Sequence, residues 1–273
     1  MNSATASRKL FFALGVVLLA AITVPAVAGA TNLFHDLFWY PNGNLTSNGG
    51  WYAHSGGGAK PIQVTNEAIV LLQGAGSGED DNHPFALQTT TAKTYASFTL
   101  KVPVGSVMGT ANEYFFHFRP APTDTNGFVA RTYVGPPTAG GDYVLGIATG
   151  SLTATPLAPW ATGLTFGQTY KVVIAYDAST GTSTLWVDPV TELSTNVSST
   201  SATVINKPLN SIAVRQASPA GATLSEVIDD VVVDAAFPAA PLPGMSPWSV
   251  SILAALLLLA GGAFVMRRRN TTA

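Results

Sequence analysis

Short runs of β-branched and aromatic residues recur through the middle of the chain, separated by clusters of Gly, Pro, Asn, Asp and Ser. No long stretch between residues 31 and 240 has the 3.6-residue hydrophobic period of a helix. This pattern predicts strands joined by turns. The predicted strands are residues 68–72, 96–104, 113–119, 128–134, 143–149, 169–176, 184–187, 211–216 and 227–233. We therefore expect one all-β antiparallel sandwich.

One hairpin is clear from the sequence. An aromatic-led strand over residues 170–176 is followed by a polar loop and a second strand over residues 183–188. Gly181 stands where such a loop needs a positive φ, which glycine adopts without steric cost.

This hairpin also resembles the central hairpin of laminin-G-like and concanavalin A-like lectin/glucanase domains. The run 226–233 is similar to their final strand, and residues 48–51 and 74–85 are similar to uncharacterised secreted bacterial members. The resemblance implies a concanavalin A-like (jelly-roll) sandwich over residues 31–236. An immunoglobulin-like sandwich is the main alternative, although it usually has about 100 residues, half this length.

The N-terminus has the pattern of a signal peptide over residues 1–30. Arg8 and Lys9 precede an apolar run, and Pro25 ends it. Ala28 and Ala30 supply the small side chains that signal peptidase requires, which predicts cleavage after Ala30. Cleavage after Ala28 is an alternative, and so is a retained membrane anchor.

The C-terminus has a different pattern. Residues 248–266 are almost wholly apolar and begin with Trp248, and the cluster that follows them is Arg267, Arg268 and Arg269. A helix of this length rises about 28 Å, close to the thickness of a bilayer core. The arginines predict a cytoplasmic tail over residues 267–273 and an outside location for everything upstream. A buried core helix, the alternative, does not explain the three arginines.

The residues before this span carry a second resemblance. Leu242, Pro243 and Trp248, followed by the apolar span and the arginines, resemble bacterial PEP-CTERM sorting tails, in particular the IPTL-CTERM variety. The departures from that pattern are Gly244, Pro247 and Ser249. The resemblance implies a Pro-rich linker with a sorting motif over residues 237–247, cleavage by an exosortase-type enzyme, and attachment to or release from the cell surface. The gram-positive sortase signal fits less well.

Composition and charge exclude several kinds of site and partner. The chain has no Cys, which excludes disulfides and thiolate metal sites. Of 13 basic residues, five lie in the predicted signal and tail, so eight remain against all 15 acidic residues. A domain with seven more acidic than basic residues disfavours nucleic acid as a partner.

Catalytic carboxylates are not evident. Glycoside hydrolases need paired carboxylates on one face of a strand, and the Glu-x-Asp-x-x-Glu pattern of glucanases is absent. Glu226 and Asp229 are three residues apart, so a regular strand would direct them to opposite faces. We therefore favour a protein without catalytic activity.

An acidic run lies in a Gly-rich segment predicted to be a loop. Glu79, Asp80 and Asp81 offer the hard oxygen ligands that Ca²⁺ prefers, which makes them a candidate calcium site. The alternative is a solvated surface turn that binds no ion, and no other cofactor is expected.

Two neighbouring predicted strands offer a candidate ligand site. With a period of two, one face of strands 113–119 and 128–134 carries Glu113, Phe115, His117, Arg119, Arg131 and Tyr133. Planar donors and an aromatic ring suit sugar hydroxyls and a pyranose face. Tyr114, Phe116, Phe118 and Phe128 are predicted to face the core. In the alternative, the polar face is plain surface with Glu113 paired to Arg131.

Three functions follow from these patterns. The first is an exported, surface-sorted, non-catalytic sandwich that binds carbohydrate or an extracellular matrix partner. The second is a glycoside hydrolase, or a polysaccharide lyase with Tyr133 as base, His117 as acid and Arg131 as charge neutraliser. The third is a purely structural envelope or matrix protein.

Overall fold

The computed structural model describes residues 32–74, 78–120, 128–150, 158–217 and 222–238. Within these ranges the chain forms two antiparallel sheets and two short 3-10 helices. The predicted signal peptide with Ala28 and Ala30 lies outside the described residues. So does the sorting tail with Leu242, Pro243, Trp248, Arg267, Arg268 and Arg269. No helix in the described ranges has the length and apolar character needed to cross a membrane.

A nine-stranded sheet forms one layer. Its strands are β1 (Asn32–Asp36), β2 (Gly43–Asn44), β4 (Gln63–Thr65), β5 (Ala68–Gln73), β7 (Lys93–Lys101), β12 (Thr169–Asp177), β13 (Thr182–Val187), β14 (Val197–Thr200) and β16 (Leu224–Asp234). The order is β14-β13-β12-β7-β16-β5-β4-β2, and β1 also pairs with β16. Because β16 lies between β7 and β5, its backbone is paired along both edges.

A seven-stranded sheet forms the other layer. Its strands are β3 (Tyr52–Ser55), β6 (Asp80–Gln88), β8 (Glu113–Arg119), β9 (Val129–Gly135), β10 (Val144–Ala148), β11 (Ala158–Pro159) and β15 (Leu209–Val214). Their order is β11-β10-β9-β8-β15-β6-β3. Strands β8, β15 and β6, which are distant in sequence, are therefore neighbours at the centre of this sheet.

The hydrophobic core fills the space between the sheets. Phe98 of β7 stacks on Phe116 of β8 with ring centres 4.4 Å apart, and it meets Phe115 edge-on at 6.2 Å. All three rings are buried. Aromatic pairs of this kind contribute about 1 kcal/mol to stability beyond the effect of their buried area, so they stabilise the packing of β8 against the opposite sheet.

The predicted strands are confirmed, with shifts of a few residues at their ends. The hairpin is confirmed as β12 and β13, and Gly181 has a φ of 65°. One assignment is wrong. The acidic run was expected in a loop, but Asp80 and Asp81 begin strand β6. The strand was missed because polar residues and a proline interrupt its alternation.

Candidate functional site

Two β-bulges decide which side chains of β8 and β9 face away from the core. The register between these strands shifts between Tyr114 and Phe116 and again before Phe118. On β9, Ala130 has a φ of 50°, a conformation typical of a bulge residue. A bulge adds one residue to a strand, so the period of two that the sequence suggests is broken there.

The prediction for Phe115 is therefore wrong. Phe115 belongs to the buried core, next to Phe98, and not to the ligand face. Tyr114 and Phe128 were expected in the core, but they lie against polar side chains of the outer face. Tyr114 is 5.4 Å from the His117 ring, and Phe128 is 4.4 Å from it. The bulge at Tyr114 is the physical cause of both exchanges on β8.

The outer face of the seven-stranded sheet gathers seven aromatic and cationic side chains. We call this set the outer-face cluster: Tyr114, His117, Arg119, Phe128, Arg131, Tyr133 and Arg215. Four of the six predicted ligand residues (His117, Arg119, Arg131 and Tyr133) are in it. The fifth, Glu113, lies at its edge through Arg215.

Strand register aligns a row of residues across three strands. His117 of β8 pairs with Ala213 of β15, which pairs in turn with Asn82 of β6. Paired residues of an antiparallel sheet point to the same side. The small Ala213 therefore lies between two polar side chains that are two strand spacings, roughly 10 Å, apart. The His54 ring approaches the His117 ring from β3, with ring centres 6.3 Å apart.

Aromatic rings hold the three guanidinium groups. The guanidinium carbons of Arg215 and Arg131 lie 4.3 Å and 5.4 Å from the centre of the Tyr114 ring. That of Arg119 lies 5.6 Å from the Phe128 ring. Cation–π contacts of this kind are worth about 1 to 2 kcal/mol when desolvated, so the rings fix the orientation of the cations.

Buried polar atoms without partners mark the same face. In the described part of the chain, no hydrogen-bond partner exists for either ring nitrogen of His117, for either side-chain amide atom of Asn82, or for Nε and Nη1 of Arg131. All three side chains are almost completely buried. Each such atom costs about 1 to 3 kcal/mol unless water or a ligand satisfies it. These atoms therefore need hydrogen-bonding groups, from water or from a ligand, that the described residues do not supply.

The positive charge of this face comes from the three arginines and not from its histidines. Burial and nearby arginines hold the pKa of His117 well below its usual value, and they lower the pKa of His54 to about 4. Both histidines are therefore neutral at pH 7. Burial raises the pKa of Asp80 to about 6, although Arg215 and Arg119 oppose the shift. Asp80 thus acts on Arg215 and Arg119, and Glu113 pairs with Arg215, so neither carboxyl group neutralises Arg131.

The ion pair at the edge of the cluster differs from the predicted one. Glu113 Oε2 accepts a hydrogen bond from Nη1 of Arg215 at 3.0 Å, instead of pairing with Arg131. No sequence pattern favours Arg215, because this residue follows β15, which is a neighbour of β8 only in the folded sheet. Arg215, Asn82, Tyr114 and Phe128 are the site residues that sequence reasoning missed.

Strand β6 directs two residues of the candidate calcium site to opposite faces of the sheet. Asp80 Oδ1 accepts a hydrogen bond from the backbone of Gln216 on the outer side. Asp81 pairs with the core residue Val214 and faces inward. Burial, reinforced by Glu79, raises the pKa of Asp81 to about 8. Within the described ranges no group of three or more His, Cys, Asp or Glu side chains could hold a metal ion, and Asp80 is not brought together with Asp81.

Comparisons with known proteins gave structural likeness only. No family model and no curated protein matches the chain. Peanut lectin with a 9mer peptide is similar at a TM-score of 0.47 and 13% identity, over 74% of this chain and 96% of that one. Lectin II from Ulex europaeus gives 0.46 and 12%, over 74% and 97%. The CBM2 module of the evolved Dit of Lactobacillus casei BL23 phage J-1 gives 0.47 and 13%, over 75% and 95%.

Proposed function

We propose that this chain is an exported, surface-sorted β-sandwich that binds carbohydrate through the outer-face cluster without catalysing a reaction. The observation that carries the proposal is the coincidence of partnerless buried polar atoms with aromatic rings on one sheet face. His117, Asn82 and Arg131 supply the polar atoms. Tyr114 and Phe128 supply the rings.

The chemistry of a sugar matches these groups. A hydroxyl both donates and accepts hydrogen bonds. Arg131 only donates, whereas the Asn82 amide and the neutral His117 ring each offer a donor and an acceptor. The C–H face of a pyranose packs on an aromatic ring, which Tyr114 or Phe128 can provide.

Export and sorting are supported by the sequence alone. The n-region, apolar run and small residues at Ala28 and Ala30 support passage across the inner membrane. Pro243 and Trp248 support processing by an exosortase-type enzyme. The concanavalin A-like assignment belongs to the same proposal, supported by the hairpin of β12 and β13 and by two antiparallel sheets of the expected extent.

A glycan array probed with the full-length chain in non-ionic detergent tests the binding. We expect retention on a subset of glycans and a loss of at least tenfold in the Asn82→Ala variant. Gln88→Ala, at a half-buried site at the end of β6, is the matched control and should bind normally. Absence of retention on every glycan would favour a protein-matrix partner or a purely structural role.

A polysaccharide lyase is the second candidate, because one ring brings its three proposed groups together. Tyr133, His117 and Arg131 all lie between 5.4 and 5.7 Å from the Tyr114 ring. Burial, however, raises the pKa of Tyr133, which works against its action as a base. Release of unsaturated ends, followed by ultraviolet absorbance, would favour the lyase, and a Tyr133→Phe variant should then be inactive.

A further inference from the structure

Arginine is concentrated in the outer-face cluster. Residues 31–240 contain only three arginines, Arg119, Arg131 and Arg215, and all three belong to this cluster. The other five basic residues of that stretch are lysines. The same stretch has seven more acidic than basic residues, so its net charge is negative, whereas the outer-face cluster is locally positive.

Arg131 has no counter-charge in the described part of the chain. Its side chain is only 1% exposed, and neither Nε nor Nη1 has a hydrogen-bond partner. Arg215, by contrast, is paired with Glu113. Within the described residues, no carboxylate is among the groups that act electrostatically on Arg131. Those groups are Tyr133, Tyr114 and Arg215. A buried cation without an anion is unfavourable by several kcal/mol.

Resting on the carbohydrate-binding function above, we propose that the ligand is an acidic carbohydrate whose carboxylate or sulfate group binds the guanidinium of Arg131. A guanidinium presents donors in a fixed fork that matches two oxygens of such a group. The anion supplies the missing counter-charge, while His117 and Asn82 bind neighbouring hydroxyls.

The neutral state of the two histidines supports this division of roles. His117 and His54 lie beside the arginines, and their lowered pKa values keep them uncharged at neutral pH. Neutral imidazoles can accept as well as donate hydrogen bonds, as a hydroxyl requires. The charge that recognises an acidic group is therefore confined to the guanidinium groups.

Calorimetric titration of the full-length chain in non-ionic detergent tests the proposal. The probes are an oligogalacturonate, a sulfated galactan oligosaccharide and a neutral galactan oligosaccharide of equal length. We expect at least one acidic probe to bind tenfold or more tightly than the neutral one. The two acidic arms distinguish a carboxylate from a sulfate. The preference should weaken as NaCl rises, because salt screens charge interactions.

The Arg131→Met variant gives a second readout. It keeps much of the apolar stem, and it should bind acidic and neutral probes equally. Its Tm without ligand should equal or exceed that of the wild type, because a buried uncompensated charge is removed. Lys101→Met, which removes an exposed cation from the opposite sheet, is the matched control and should keep the preference.

Three outcomes decide the matter. Equal binding of acidic and neutral probes by the wild type would overturn the acidic ligand and leave carbohydrate binding in place. A preference that persists in Arg131→Met would overturn the role of Arg131. No binding of any probe, together with no retention on the glycan array, would overturn both proposals.

Discussion

The guanidinium carbon of Arg215 lies 4.3 Å from the centre of the Tyr114 ring, while Nη1 of the same side chain donates a hydrogen bond to Glu113 at 3.0 Å. One arginine thus joins β15 to the first two residues of β8. The ring of Tyr114 also contacts Arg131 and His117, so its position affects the whole outer-face cluster.

Replacement of Tyr114 should therefore destabilise the domain. In Tyr114→Leu, the cation–π contacts with Arg131 and Arg215 are lost, and we expect the free energy of unfolding to fall by about 1 to 2 kcal/mol. Tyr52→Leu, at a more exposed site on the same sheet, should cost much less. Chemical denaturation of both variants measures the difference, and equal losses would contradict the role of the Tyr114 ring.

A hydrogen bond between the two sheets supports the bulge on β9. The backbone N–H of Ala130 donates to Oγ of Ser183 at 2.9 Å in the buried interior. Ser183→Ala leaves that N–H unsatisfied, so we expect a loss of about 1 to 3 kcal/mol. Ser198→Ala, whose hydroxyl bonds only to Thr184 at the surface, should cost less than about 0.5 kcal/mol. Thermal melts of the two variants would separate these cases, and a stable Ser183→Ala would show that the bulge does not depend on this bond.

Stability should fall as the pH rises above neutrality. Burial raises the pKa of Glu226 from 4.5 to about 8, and that of Asp81 to a similar value. Between pH 4.5 and 8 the folded chain keeps protons that the unfolded chain has lost, so the free energy of unfolding decreases with pH. Below about pH 6.5 the lowered pKa values of His54 and His117 act in the opposite direction, because there the unfolded chain binds the extra protons.

The two effects largely cancel in mild acid, and the carboxyl groups alone act between pH 6.5 and 8. For Glu226 the expected loss over this window is about 2 kcal/mol. Glu226→Gln should flatten that part of the curve, because glutamine can still accept the hydrogen bond from Gln73. Glu67→Gln, at an exposed turn, should leave the slope unchanged. Denaturation at pH 6.5 and 8 checks the prediction, which would be wrong if Glu226→Gln kept the wild-type slope.

Calcium should have little effect on the described domain. Ca²⁺ takes six to eight oxygen ligands, but Asp80 and Asp81 lie on opposite faces of β6. We expect the Tm in millimolar CaCl₂ and in EDTA to differ by less than about 1 °C. A rise of several degrees in CaCl₂ that disappears in Asp81→Asn would instead identify a cation site formed by Asp81 and Glu79.

The sequence predicted nine of the sixteen strands in the described ranges, because their β-branched and aromatic runs are bounded by turn residues. Strand β6 was not predicted, because its first residues do not show the alternation of a half-buried strand. These residues include Asp80, Asp81, Asn82 and Pro84. Its polar residues are buried by neighbours that are distant in the chain, a circumstance that local pattern does not contain.

For the site, the hydrophobic and polar pattern alone predicts that β8 and β9 carry His117, Arg119, Arg131 and Tyr133 at positions able to share one face. The inward position of Phe115 and the outward position of Tyr114 depend on the folded sheet, because a bulge depends on how two strands pair. Only the folded sheet brings Arg215 and Asn82 into the cluster, since β15 lies between β8 and β6. Strand order is set by packing of the whole sheet, and no spacing along the chain encodes it.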